Sequence, residues 1–296
     1  MRPCDRKLIK ASVYIQERDP WMSGEVCFMP RELIMTTLPH RQIDGSEYKR
    51  INGNHILSIL TPSEIGLPWG SIPRLIICWI TTEAKKTGSR EIQLGRSFNN
   101  FMQQAGLGKA TGGTNGSLPR IRKHAQQLFS STVSFHSSSK EKSTERGYRV
   151  ADEHSVWWEH STERSNTPLT VTLSAAFFHE AVKNAVPLDL TVIRTLKQSP
   201  LALDIYCWLT HRYFKMKHST RISWSSIAEQ FGTSHMELRQ FRRHFLRKIR
   251  EVAVLYPEAK FEVTGEHLIL NPSKTHVPVK RNPQKWLLDA KPLYDQ

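Results

Sequence analysis

Two basic segments hold the side chains with the most to offer a partner. In the first, Leu118, Ile121, Ala125 and Phe129 recur at three- and four-residue spacing, and Arg120, Lys123 and Gln127 fall on the opposite side. In the second, Leu238, Phe241, Phe245, Ile249 and Val252 form the apolar stripe. Gln240, Arg243 and Arg247 lie opposite it, flanked by Arg239 and Arg250. An arginine can donate two parallel hydrogen bonds to guanine O6 and N7, and glutamine can engage adenine N6 and N7. A helix fits the major groove, with its N-terminal half reaching deepest. Arg239, Gln240 and Arg243, followed by Arg247, are therefore candidates for base readout, with Arg120 and Lys123 as their counterparts in the first segment. Arg122, Arg242 and Arg250 sit at the flanks, where phosphate contact is more natural. The competing reading of each face is a solvated basic surface with no ligand.

The surrounding pattern supplies elements to hold these helices. Residues 1–67 read as an N-terminal extension, partly irregular, with a hairpin over 47–60 around a type I′ signal at Asn52-Gly53. Pro and Gly punctuation then marks a boundary. A helix begins at Ser71, which can cap it, with Pro73 in the first turn. A strand at 90–94, a helix at 98–107, a glycine-rich stretch at 106–116 and a helix at 117–130 follow. Strands at 132–135, 148–158 and 169–173 complete a first unit. The order recurs downstream: a helix at 200–217, a strand at 221–224, a short helix at 225–231, a turn at 232–234, a helix at 236–254 and a hairpin around Gly265. Helix, strand, helix, turn, helix, hairpin is the order of a winged helix–turn–helix. The expected architecture is α+β: an extension at 1–67, winged-helix domains at 68–186 and 187–273, and a basic tail at 274–296. Lys140, Lys142 and Lys260, placed in the hairpins, are expected to touch phosphate.

An internal repeat supports the duplication. Cys78-Trp79-Ile80-Thr81 parallels Cys207-Trp208-Leu209-Thr210, each late in the first helix of its unit. The run from Leu118 to His124 parallels that from Leu238 to His244, each in the third helix.

Composition narrows the function. Over 296 residues, 42 Lys and Arg against 27 Asp and Glu leave a net charge of +15, which favours a polyanionic partner. Most of the excess lies in the two helices and the tail, and the apolar stripes are better used in cores than as membrane anchors. The longest apolar run, 75–80, falls far short of the ~20 residues that span a bilayer. The N-terminus lacks a secretory signal, and the four cysteines form no CxxC pair, so a reducing cytoplasmic setting is expected.

No catalytic constellation, cofactor site or metal site is expected. Gly108-Lys109 fails the P-loop pattern, since position 103 is Gln and position 110 is Ala. Lys109 and the loop amides remain phosphate candidates beside the plain-turn reading. His154 and His160 have no partners at metal spacing, and Asp204 reads as a buried structural carboxylate.

Several further runs carry a resemblance. They are 66–75 (GLPWGSIPRL), 79–84 (WITTEA), 89–91 (SRE), 94–97 (LGRS), 112–117 (GGTNGS) and 199–210 (SPLALDIYCWLT). Together these resemble plasmid replication initiators of the RepA type, over about residues 37–271. The resemblance implies two winged-helix domains, binding to direct repeats (iterons) in double-stranded origin DNA, and help in opening the duplex. It implies recruitment of the host initiator and the replicative helicase. Many relatives also repress their own promoter as dimers while binding iterons as monomers, and the first winged-helix domain is the candidate homodimer surface. Trp69 departs from the expected Tyr, and Pro119 counts against base readout by the first unit. A transcriptional repressor of the same fold is the alternative, and a DNA-nicking rolling-circle initiator a distant third.

Overall fold

One small architecture is built twice in the structure, a computed structural model that describes residues 3–95, 111, 116–138, 143–154, 169–232 and 236–278. The chain opens with α1 (Pro3–Gln16), β1 (Val26–Pro30) and α2 (Arg31–Met35), then the hairpin β2 (Glu47–Asn52) and β3 (His55–Leu60). The first unit comprises α3 (Ser71–Thr87), β4 (Glu91–Gly95), α4 (Ser117–Phe129), β5 (Thr132–Ser138), β6 (Ser143–Arg149), β7 (Ala151–His154) and β8 (Leu169–Leu173). The connecting elements are α5 (Ala175–Asn184), β9 (Ala185–Asp189) and α6 (Leu190–Leu196). The second unit is α7 (Pro200–Lys215), β10 (Thr220–Ser223), α8 (Trp224–Phe231), α9 (Leu238–Leu255), β11 (Phe261–Val263) and β12 (His267–Leu270).

The duplication is visible in strand pairing. The second unit's antiparallel sheet runs β10-β12-β11, and the first unit's runs β4-β8-β7. In each, the strand after the first helix pairs with the last strand of the wing. The fold is α+β, with tandem winged helices and a strand-containing extension.

The first wing differs from the sequence expectation. Strands at 132–135, 148–158 and 169–173 are its expected members, yet β5 pairs with β6, most of which lies in the expected 137–146 connection, and both join the extension in a sheet ordered β2-β3-β5-β6. The wing is β7, inside the expected 148–158 strand, paired with β8 at the expected 169–173. Alternation marks a half-buried strand but does not name its neighbour. Lys140 and Lys142 fall between β5 and β6, outside the described residues, so the hairpin they interrupt belongs to the four-stranded sheet. The helix expected at 98–107, and Lys109 with it, also lie outside the described residues.

Two local expectations change as well. Asn52 pairs with His55, so the turn residues are Gly53 and Asn54 rather than Asn52 and Gly53. Only Gly53 has a positive φ (55°), which excludes the type I′ pair and matches a turn with Gly first. Ser71 is the first helical residue of α3 and makes no cap; Gly70 occupies that position with φ 76°.

The extension is woven into both units. β1 pairs antiparallel with β9 from Val26↔Asp189 to Pro30↔Ala185, and the Phe28 amide donates to Thr82 Oγ1 of α3 (2.9 Å). A continuous core runs through the molecule. The repeated Cys78 and Cys207 are buried, as is Cys27, and burial pushes the Cys27 and Cys207 thiols well up. They serve as small apolar core groups. In the second unit Phe245 gathers Trp224, Phe231 and Phe241 with ring centroids 6.1, 5.6 and 5.7 Å away.

Gly232 ends α8 where the helix–turn–helix turn begins. A Cβ there would lie 2.4 Å from the Ala228 carbonyl oxygen, a backbone atom fixed by the helix. Its own carbonyl accepts from Arg50 Nη1 of β2 (2.7 Å), so the backbone has little room to yield. Gly232→Ala is expected to destabilise the chain by roughly 1–3 kcal/mol, the usual cost of overpacking. Chemical denaturation is the check; an unchanged midpoint would refute this account of the turn.

Candidate nucleic-acid interface

The third helix of the second unit is built as its sequence pattern requires. Phe241, Phe245, Ile249, Val252 and Leu255 are buried along one stripe of α9. Leu238, expected in the stripe, is 47% exposed, because it stands at the helix start, ahead of the core. Arg239, Gln240, Arg243, Arg247 and Arg250 are all exposed. Arg239, Gln240, Arg243 and Arg250 make no hydrogen bond or ion pair among the described residues. Arg247 Nη2 lies 2.8 Å from His244 Nδ1, and Lys248 pairs with Glu251 (2.8 Å).

Arg242, expected at a phosphate, also has a structural task. Its Nη2 donates to the Thr264 carbonyl (2.8 Å), and its guanidinium lies 5.2 Å from the Trp224 ring centroid. Trp224 Nε1 donates to the same carbonyl (3.3 Å). Arg242 thus pins the wing turn to α9. Lys260 is exposed, but at the foot of the wing. Its amide donates to Ser273 Oγ (3.0 Å), and its carbonyl accepts from Tyr213 Oη and the Asn271 amide (both 3.0 Å). The wing carries Glu262 and Glu266, so its outer part is not cationic.

On α4, Ile121, Ala125, Leu128 and Phe129 are buried, Arg120 and Lys123 are exposed, and Arg122 is half-buried. Gln127, expected on the outer face, is buried, and its Nε2 donates to the Ile65 carbonyl (3.1 Å). His124 packs edge-on against Trp69 with centroids 4.9 Å apart. Burial, then Arg120 and Lys123, pull its imidazole down to about 4, so it is neutral at pH 7.

A chain of adjoining clefts leads from one helix to the other. A cleft lined by Arg120 and Ser117 of α4 is also lined by His40, Lys197 and Gln198. The next cleft shares His40 and Gln198 and adds Arg41, with His244 and Lys248 of α9. A third continues from His244 and Lys248 to Gln240, Arg243, Arg247 and Arg250, with Leu8 of α1 on its wall. Cations dominate the lining of these clefts, and Glu251, paired with Lys248, is the carboxylate among them. Burial lowers the Lys197 ammonium, as do Lys7 and Arg194. Burial lowers His244, and Arg247, Lys248 and Arg41 add to it. Sequence reasoning missed Arg41 and Lys197, because isolated cations outside a periodic helix give no signal.

A buried ion cluster fixes the same place. Arg74 at the start of α3 donates Nε and Nη2 to the two oxygens of Asp204 on α7 (both 2.7 Å). Its Nη groups also donate to the carbonyls of Leu38 (2.7 Å), Pro39 (3.2 Å) and Gly70 (2.6 Å). His40 Nε2 lies 2.7 Å from Asp204 Oδ2. Asp204 is the structural carboxylate expected of it: it ties both units to the segment that carries Arg41. Among the described residues no group of three or more His, Cys, Asp or Glu could hold a metal.

Residues 67–226 match the family model for plasmid encoded RepA protein. The chain belongs to that family. It is a replication initiator of the RepA type, as the motifs from Gly66 to Thr210 implied. The matched span takes in the first unit and both partners of the Arg74–Asp204 pair, and it stops inside α8, before α9. No curated protein matches the chain. Two solved structures share the fold. A crystal structure of RctB domains 2-3 is 12% identical, with a TM-score of 0.52 over 83% of this chain and 98% of that one. A selenomethionine form of RctB domains 2 and 3 is 11% identical, with a TM-score of 0.54 over 82% and 99%. At such identity the likeness is one of fold.

Proposed function

We propose that this chain starts plasmid replication by binding direct repeats in double-stranded origin DNA, without chemistry of its own. The observation that carries this reading is the cation-rich seam of adjoining clefts from Arg120 to Arg250. It supports one duplex lying across both units, with α9 in a major groove reading bases through Arg239, Gln240 and Arg243. On this reading α4 addresses the neighbouring stretch, and Arg41 and Lys197 hold the phosphates between. The bound initiator promotes opening of the adjacent duplex, recruits the host initiator and replicative helicase in the bacterial cytoplasm, and represses its own gene.

Footprinting of the purified protein on DNA flanking its own gene tests this directly. Direct repeats protected in phase with the helical turn are the expected result. A lone protected palindrome would point to a repressor instead, and metal-dependent strand cleavage to a nicking initiator. Arg41→Ala is expected to weaken cognate and non-cognate DNA alike and to reduce the salt slope by about one, as loss of a phosphate contact does. A loss confined to the cognate site would remove Arg41 from the phosphate track.

A further inference from the structure

A second concave site shares no lining residue with the seam. It lies between the β1–β9 pair, the C-terminal part of α7 and residues 275–277, with a volume of about 340 Å³. That is within the range of roughly 300–1,000 Å³ common for small-molecule pockets, at its lower end. Trp21, Phe28, Val186 and Pro187 supply apolar lining, and Phe214, 52% exposed, stands at the edge. The charged residues of the lining are all cationic: Arg31, Lys85, Lys183 and Lys215, with His211 beside them.

The cations are poorly matched with anions. Arg31 makes no hydrogen bond or ion pair among the described residues, and its Nε is buried without a partner. A buried guanidinium donor left unpaired is costly, and an anion would satisfy it. Lys183 and Lys215 are exposed and equally unpaired among the described residues. Lys85 is engaged already: its Nζ donates to the Val182 carbonyl and sits 5.2 Å from the Phe28 ring centroid. Two carboxylates stand close by without lining the pocket: Glu180 accepts from Asn184 Nδ2 (2.7 Å), and Glu32, in the adjoining cleft, accepts from Tyr148 Oη (3.2 Å). His211 registers the local field. Burial, then Arg31, Arg212 and Lys215, hold its imidazole down to about 4. Arg31, His211 and Lys215 also line the adjoining cleft, so they stand between two hollows where a charged group has room.

An apolar and aromatic wall beside unpaired cations suits a ligand with a flat ring and a phosphate. We propose that this pocket binds a nucleoside monophosphate, its base on the wall that ends in Phe214 and its phosphate at Arg31, Lys183 and Lys215. The volume accommodates one nucleotide, and the site is independent of the DNA-binding reading above.

Isothermal titration calorimetry of the full chain with AMP, GMP, CMP and UMP tests this, with ribose 5-phosphate, inorganic phosphate and a short oligo-dT strand as comparison arms. One or more of the monophosphates is expected to bind one site per chain, about tenfold or more tighter than ribose 5-phosphate, a gap of about 1.4 kcal/mol. Lys215→Glu and Lys183→Glu, both at exposed positions, are expected to weaken it about tenfold each. Phe214→Ala should weaken the nucleotide and leave ribose 5-phosphate unchanged. Footprints on origin DNA should be the same for all three variants. The proposal fails if no monophosphate binds, if ribose 5-phosphate binds as tightly, or if the variants bind like the parent. It also fails if oligo-dT binds more tightly with the same dependence on Lys215 and Phe214, since the site would then hold a strand.

Discussion

Asp204→Ala is expected to lower the stability of the folded chain by about 3–5 kcal/mol, the loss typical of breaking a buried ion pair from one side. Arg74 and Asp204 are 4% and 8% exposed, so water cannot take over the missing partner. Arg74 would keep its three carbonyl acceptors but lose both carboxylate bonds and the opposing charge. His40 would lose its acceptor. Asp204→Asn keeps the shape and some hydrogen bonds and should cost less. Urea denaturation of the three proteins at pH 7 measures this, and a loss for Asp204→Ala below about 1 kcal/mol would sink it.

The pH dependence has a definite sign. Burial pushes the Asp204 carboxyl up, but Arg74 and His40 outweigh it and hold the group below the usual carboxylate value. A group with a lowered folded pKa stabilises the fold above its unfolded pKa and loses that contribution as pH falls through the folded value. The gap between parent and Asp204→Ala should therefore narrow on acidification below the ordinary aspartate range. Burial also lowers His40, despite Asp204, so at pH 7 the imidazole is neutral and donates its Nε2–H to the ionised carboxylate.

The parts of the fold set by local rules were legible in the sequence. The stripe from Phe241 to Val252 follows from helical geometry alone, and the repeated Cys-Trp pairs marked equivalent helices, α3 and α7. What was illegible depends on the tertiary partner. β5 alternates as a wing strand would, but β3 offers it an edge, from Leu60↔Thr132 to His55↔Ser137. Gln127 occupies an outward position on a helical wheel, yet the carbonyl of Ile65 draws it inward. Arg242 looked like its neighbours until the wing folded back over Trp224 and presented Thr264 to it. The same holds for the interface. Each helix face could be read singly, but Arg41, Lys197 and Arg31 acquire their setting only when distant segments meet.

Replacing Arg239, Gln240 and Arg243 together by alanine is expected to remove most of the preference of the chain for its own site. Two arginines and a glutamine at the exposed start of α9 stand where a groove-bound helix reaches deepest. Each bidentate contact to a base edge is worth about 1–3 kcal/mol, so losing the set should cost about 4 kcal/mol or more on cognate DNA, roughly a thousandfold in affinity. Non-cognate affinity should fall much less, because phosphate contacts elsewhere along the seam remain. The salt slope separates this variant from Arg41→Ala: base-edge contacts carry specificity, while phosphate contacts carry the counterion release. Stability should stay within about 0.5 kcal/mol of the parent, since the three side chains are exposed and hold nothing in place among the described residues. Titrations of cognate and scrambled duplexes at two salt concentrations measure all of this. If cognate preference survives the triple substitution, α9 does not read the sequence, and the Arg120 and Lys123 face of α4 becomes the reader to test.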